Sequence, residues 1–160
     1  LGDVYKRQAY IPPSYIKNEY QKLDIYKRIS TIETDEEYMD MQDELLDRFG
    51  DIPKSVENLL KIAMVRALAH RAYVTEVFVN RQEIRLTMYQ KAKLDVTRIP
   101  DFVQSYKGEL KLVPGETPVF HYVDRKNKNS DSLIMLEKAR TMLEQLGKLG
   151  QKEPGGNGAD

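Results

Sequence analysis

The chain has 160 residues, of which 41% are hydrophobic and 31% charged, a length and balance that suit a single domain with a buried core and a charged surface. Its 25 basic and 25 acidic residues give a formal net charge of zero, so no overall field favours nucleic acid or an anionic membrane. The sequence has no cysteine and no apolar run of about 18 residues, which excludes disulfides, thiolate chemistry and a membrane-spanning helix and leads us to expect a cytoplasmic protein.

The two ends of the chain differ in composition from the middle. Residues 1–8 show no clear periodicity, and we expect them to be a non-native or unstructured lead-in. Residues 151–160 are rich in glycine and polar side chains, so we expect a disordered tail. The folded domain is therefore predicted to cover residues 9–150.

Three helices are predicted in the first half of the chain. Apolar residues at helical spacing indicate a first helix from about Tyr15 to Ile32. Thr34 and Glu37 form a capping box that starts a second helix, and Gly50 ends it. A third and more apolar helix is predicted from about Pro53 to Ala72. The first helix is expected to pack against the core through one stripe of residues: Ile16, Tyr20, Leu23, Tyr26 and Ile29.

The hydrophobic period changes from 3.6 to 2 after Tyr73, which predicts strands in the second half. Alternating apolar and polar residues indicate that one face of the first hairpin packs and the other is wet. The expected class is α+β, with three N-terminal helices packed with a small antiparallel sheet and further helices. The predicted elements are strands at Val74–Val79 and Ile84–Tyr89, a short helix capped by Asp95 that runs to Tyr106 and is broken or bent by Pro100, strands at Leu110–Val113 and Val119–Val123, and a last helix from Asp131 or Ser132 to about Gly147.

Catalytic, cofactor and metal motifs are not found in this sequence. It contains neither a G-x-S-x-G elbow nor a phosphate-binding loop nor a calcium-binding loop. His70 and His121 are distant from each other in sequence, and a packed or partly exposed histidine is the better interpretation of each. We therefore expect no catalytic residue, no cofactor and no metal in this chain, and no enzymatic activity of the isolated domain.

The second predicted helix is strongly acidic. Residues 33–51 contain nine acidic side chains against one basic side chain, Arg48. Four of the acids recur at i, i+3, i+4 and i+7 and so share one face of the helix: Asp40, Asp43, Glu44 and Asp47. This face is either an ordinary solvated surface or a docking surface for a basic partner.

A nucleic-acid-binding accessory module is the alternative function. The densest basic stretch, Arg125–Lys128, lies in a predicted loop after the last strand. Aromatic residues follow the core periodicities and are not interleaved with basic residues, as they are on a stacking surface for single strands. A solvated loop is therefore favoured over a phosphate-binding one.

Several short motifs in the first half of the chain resemble one family in their order and spacing. The family is the C-terminal domain of bacterial transcription-repair coupling factors (Mfd). The resemblance runs from about Ala9 to Tyr73, and beyond Val74 it lies mainly in the order of elements. The motifs are Ala9-Tyr10-Ile11-Pro12, Tyr15-Ile16, Leu23-x-x-Tyr26-Lys27-Arg28-Ile29, Glu44-Leu45-Leu46-Asp47-Arg48-Phe49-Gly50-x-x-Pro53 and Leu59-Leu60-x-Ile62-Ala63.

The resemblance implies that the chain is a fragment of an ATP-driven DNA translocase. Such a parent displaces stalled RNA polymerase and recruits excision repair through UvrA. This domain would be a non-catalytic regulator that docks on the UvrB-like N-terminal module, masks its UvrA-binding surface and restrains the motor, while other parts of the parent bind DNA.

The resemblance also implies which residues make the docking contact. In the family, the contacts come from the acidic residues just ahead of the D-R-F-G turn, which here are Glu44 and Asp47. Each carboxylate is expected to receive an arginine of the partner. Both are expected to be exposed helix positions whose substitution leaves the fold intact. Arg48 and Phe49 are expected to serve the fold, with Arg48 pairing with a nearby acid.

Overall fold

The computed structural model describes residues 5–92, 94–126 and 131–149, and the predicted α+β class is confirmed. The tail predicted at 151–160 and part of the basic loop at 125–128 lie outside these residues. The described elements are α1 (Glu19–Ser30), α2 (Asp35–Phe49), α3 (Lys54–Arg71), β1 (Val74–Val79), β2 (Glu83–Met88), α4 (Ile99–Gln104), β3 (Leu110–Val113), β4 (Val119–Val123) and α5 (Ser132–Leu149).

The chain divides into two compact units. Unit 1 covers Leu1–Ala67 and unit 2 covers Leu68–Asp160, so the division falls within α3. None of the helices in the described ranges is long and apolar enough to cross a membrane.

Unit 1 packs α1, α2 and α3 around one apolar core. Each helix contributes residues from a single stripe, as amphipathic helices do. Half-buried aromatic side chains, including Tyr15, Tyr26 and Phe49, close the edge of this core. The buried members are Ile11, Ile16, Ile25, Ile29, Ile32, Met41, Leu45, Val56, Leu60 and Ala63.

The stripe predicted for α1 differs from the observed one. Tyr20 and Leu23 were expected in the core, but they are 85% and 64% exposed. The helix begins later than predicted, because Asn18 caps it by accepting a hydrogen bond from the backbone N–H of residue 21. Ile25 and Ile29 form the buried stripe, and at 3.6 residues per turn Leu23 lies about 160° around the helix from Ile25.

The lead-in also differs from its prediction at residues 5–8. Tyr5 is buried, with 2% of its surface exposed. The backbone carbonyl of Gln8 accepts a hydrogen bond of 2.7 Å from the side-chain amide of Asn58, which lies on α3. A segment this short has too few residues to show a periodicity, so the sequence pattern could not indicate that it packs.

Unit 2 contains a four-stranded antiparallel sheet in the order β1-β2-β4-β3, together with α4 and α5. One face is buried, as the alternation predicted, and it carries Ile84 and Leu86 of β2 with Phe120 and Tyr122 of β4. The ammonium group of Lys138, on α5, donates to the hydroxyl of Tyr122 at 2.9 Å. This hydrogen bond links the buried face of the sheet to α5, whose own buried side chains include Leu136, Ala139 and Leu143.

The short helix α4 is shorter than predicted. A carboxylate oxygen of Asp95 accepts hydrogen bonds from the backbone N–H and the hydroxyl of Thr97, which makes a turn ahead of the helix. Pro100 lies in the first helical turn, where backbone N–H groups have no acceptor within the helix, so the absence of an N–H on proline costs no hydrogen bond. α5 runs two residues beyond the predicted end, to Leu149.

Replacing Tyr5 with alanine is expected to lower the free energy of unfolding by about 3 kcal/mol, because a buried aromatic ring leaves a cavity. The matched control is Tyr20→Ala, which removes the same ring from a solvated position and should cost less than about 0.5 kcal/mol. Urea unfolding followed by circular dichroism measures both. Equal stabilities for the two variants would show that residues 5–8 are not part of the fold.

Candidate partner-binding site

The N-terminal turn of α2 is held by the predicted capping box. The hydroxyl of Thr34 accepts a hydrogen bond of 3.0 Å from the backbone N–H of Glu37. One carboxylate oxygen of Glu37 accepts from the backbone N–H groups of Thr34 and Glu33. Glu37 therefore serves the fold, and negative charge in this first turn is also favoured by the helix dipole.

The C-terminal turn of α2 is held by a tyrosine from the segment before α1. The hydroxyl of Tyr15 lies 3.1 Å from the carbonyl oxygen of Leu45 and 2.9 Å from that of Gly50, so its one proton is shared between these two acceptors. Its ring contacts Phe49, with 5.7 Å between ring centroids, and burial raises the pKa of the tyrosine. Gly50 has a φ of +89°, a conformation that favours glycine. These contacts fix the direction of the last helical turn.

Glu44 lies on the side of α2 that faces α1, and its carboxylate binds two arginines of the same chain. The guanidinium of Arg28 binds both oxygens, at 2.7 and 2.5 Å. Arg48, one turn along α2, binds Oε2 at 2.6 Å. Hydrogen bonds from Arg28 and then Arg48 lower the pKa of Glu44 to about 2. Three of the roughly four acceptor positions on this carboxylate are therefore occupied.

Asp47 differs from Glu44 in having no such partner. Its side chain is exposed and makes no ion pair or hydrogen bond with the residues that the structure describes. The same holds for Asp40 and Asp43. Of the two residues predicted to contact a partner, Glu44 is thus already bound to arginines of its own chain, and Asp47 has no partner among the described residues.

The expectation that Glu44 is a free, exposed acid therefore needs correction. Its side chain is 29% exposed, and its substitution would break contacts that join α1 to α2. The pairing with Arg48 was readable from their i, i+4 spacing. The pairing with Arg28 joins residues 16 positions apart on different helices, and no local pattern indicates such a contact.

The two histidines lie in ordinary surroundings. His70 is exposed at the end of α3. The Nε2 atom of His121 lies 2.8 Å from Oε1 of Glu83, and Arg85 binds the same oxygen at 3.1 Å, on the solvated face of the sheet. Within the described part of the chain, no group of three or more histidine, cysteine, aspartate or glutamate side chains could hold a metal ion.

Comparisons with known proteins agree on one family. The family model of the TRCF domain matches residues 5–99. The transcription-repair-coupling factor of Bacillus subtilis (strain 168) is 39% identical over 88 residues, which are 55% of this chain and 8% of that protein. The same factor from Staphylococcus haemolyticus (strain JCSC1435) is 40% identical over 84 residues, 52% of this chain and 7% of that protein.

A solved structure extends the likeness to most of the chain. The crystal structure of the C-terminal domain of transcription-repair coupling factor is similar at a TM-score of 0.70 and 25% identity, over 89% of each chain. The chain spans less than a tenth of the length of the two curated relatives.

Replacing Glu44 with glutamine is expected to lower the free energy of unfolding at pH 7 by about 1 to 2 kcal/mol, because two arginines lose a charged acceptor. The folded state lowers the pKa of Glu44 from 4.5 to about 2, so the stabilisation is complete above pH 4.5 and is lost as the pH falls through about 2. The difference in free energy of unfolding between the wild type and Glu44→Gln should therefore narrow as the pH falls from 4.5 to about 2.

Asp43→Asn is the matched control for this measurement, because it removes a neighbouring carboxylate that has no partner among the described residues. Its effect on the free energy of unfolding should stay below about 0.5 kcal/mol at neutral pH. Urea titrations at several pH values compare the variants. A Glu44→Gln effect that does not change between pH 5 and pH 2 would contradict the assignment of this ion pair.

Proposed function

This chain belongs to the TRCF domain family, as its sequence motifs predicted, and we propose that it is a non-catalytic regulatory domain of a transcription-repair coupling factor. In this proposal the parent is an ATP-dependent DNA translocase that displaces stalled RNA polymerase and recruits excision repair. The domain docks on the UvrB-like N-terminal module of its parent. Docking masks the UvrA-binding surface and restrains the motor.

The observation that carries this proposal is the free carboxylate of Asp47 beside the fixed carboxylate of Glu44. Asp47 can bind an arginine of the partner through both oxygens, a strong geometry for a charge-assisted pair. Glu44 keeps about one acceptor position, which a second donor of the partner can use. Arg28 and Arg48 hold Glu44 in place, so little side-chain entropy remains to be lost on docking.

The charge distribution along α2 supports the same proposal. Asp43 and Asp47 are four residues apart, and like charges at this spacing destabilise an isolated helix slightly. A basic partner relieves this repulsion, and the negative charge of the two carboxylates also steers such a partner towards the surface. Since the chain as a whole is neutral, the acidic face of α2 is a local feature and not a reflection of overall composition.

The substitution Asp47→Arg in the full-length parent is expected to raise both UvrA capture and basal ATPase activity, by roughly tenfold, because it sets two cations against each other in the contact. The measurements are UvrA pull-down and ATP turnover. Asp47 is the better position to change, because replacing Glu44 also breaks the pairs with Arg28 and Arg48.

Glu116→Arg provides the matched control, since it makes the same charge change at an exposed turn residue of unit 2. This variant should capture no more UvrA than the wild type. Circular dichroism checks that both variants fold. If Asp47→Arg folds and still captures no more UvrA than Glu116→Arg, the docking role of Asp47 is wrong.

The 160-residue chain is expected to bind duplex DNA negligibly at physiological salt, because its net charge is zero and α2 carries local negative charge. A nucleic-acid-binding accessory module would instead bind with an affinity of about 10⁻⁴ to 10⁻⁶ M that falls steeply with salt. Fluorescence anisotropy of a labelled duplex at two salt concentrations distinguishes the two. Salt-sensitive binding in that range would favour the alternative function.

A further inference from the structure

We propose that the docking surface of α2 extends to an apolar pair, Met39 and Leu46, and that its partner surface carries an apolar side chain flanked by arginines or lysines. This inference rests on the proposed function, since it names the chemistry of the partner at the same site. We call Met39, Asp43 and Leu46 the outer ridge of α2.

The apolar pair lies outside the core of unit 1. Met39 is 60% and Leu46 48% exposed, whereas Met41 and Leu45 of the same helix are buried. The stripe of α2 that packs in the core of unit 1 is therefore the one that contains Met41 and Leu45, and Met39 and Leu46 lie outside it. The three members of the outer ridge recur at i, i+4 and i+7, so they lie along one face over about 10 Å of helix. Two large apolar side chains on one ridge favour a contact surface more than isolated ones do.

The charges beside the apolar pair restrict what can cover it. Asp43 lies on the ridge, Asp40 and Asp47 lie alongside, and none of the three has a partner among the described residues. Polyanions such as nucleic acid and anionic membrane surfaces are repelled by this arrangement. A second copy that docked through its own α2 would meet the same negative charges. A basic protein surface with an apolar centre matches both features of the ridge.

The two parts of such a contact respond differently to salt. Exposed ionic contacts weaken as the Debye length falls from about 10 Å at 0.1 M to about 3 Å at 1 M salt. Burial of apolar surface does not depend on this screening. The contribution of Met39 and Leu46 can therefore be separated from that of Asp47 by repeating one measurement at low and high salt.

The test compares UvrA capture by the full-length parent at about 0.1 M and about 1 M salt, the two ends of this screening range. A parent lacking this domain sets the fully unmasked value at each salt. The double variant Met39→Ser, Leu46→Ser should raise capture by about tenfold at high salt, because the lost apolar contact can no longer hold the domain on its partner. The control Tyr20→Ser, Leu23→Ser alters exposed apolar residues of α1 and should behave as wild type.

Each other outcome is decisive. If Asp47→Arg raises capture and the Met39, Leu46 variant does not at either salt, the inference is wrong and the proposed function stands. If neither variant raises capture, and the parent that lacks the domain captures no more UvrA than the wild type, the inference and the proposed function both fail. If the α1 control raises capture as much, no particular apolar pair is involved. If light scattering shows the isolated chain to be a dimer that the Met39, Leu46 variant makes monomeric, the ridge is covered by a second copy, which also overturns the inference.

Discussion

The bidentate pair between Arg28 and Glu44 joins α1 to α2, and the character of the acidic surface depends on it. Both helices contribute one buried stripe to the core of unit 1, but apolar contacts alone permit rotation and sliding. Two parallel hydrogen bonds between a planar guanidinium and a carboxylate are directional, so they select one arrangement. Arg48 then adds a third bond from the next turn. Because these bonds occupy most of the Glu44 carboxylate, Asp40, Asp43 and Asp47 are the carboxylates on this face of α2 that have no partner among the described residues.

Features that depend on neighbouring residues could be predicted from the sequence. The capping box of Thr34 and Glu37 and the alternation along β2 are examples, because each depends on spacing within one element. The exposure of Tyr20 could not be predicted, because several apolar positions of α1 fit a helical stripe and packing against α2 and α3 chooses among them. The Arg28–Glu44 pair is a contact between helices, and the burial of Tyr5 depends on a short segment without periodicity. The Arg28–Glu44 pair and the burial of Tyr5 could therefore be identified only from the tertiary structure.

The two units relate differently to the known family. The family model matches residues 5–99, which include all of unit 1 that is described and the β1–β2 hairpin. The structural likeness covers 89% of the chain and therefore reaches well into the rest of unit 2. A sheet with one buried face and a covering helix requires only apolar residues of suitable size at alternating positions. The turn at Gly50, by contrast, depends on particular groups such as the hydroxyl of Tyr15.

The low pKa of Glu44, about 2, has a consequence for how such a surface can be controlled. A carboxylate that stays ionised down to this pH does not gain a proton under any condition that a growing cell tolerates. Acidification is thus excluded as a trigger that loosens α1 from α2 through this residue. In the proposed function, a partner bound to α2 is therefore released by a competitor for the same side chains or by a force that pulls the two surfaces apart.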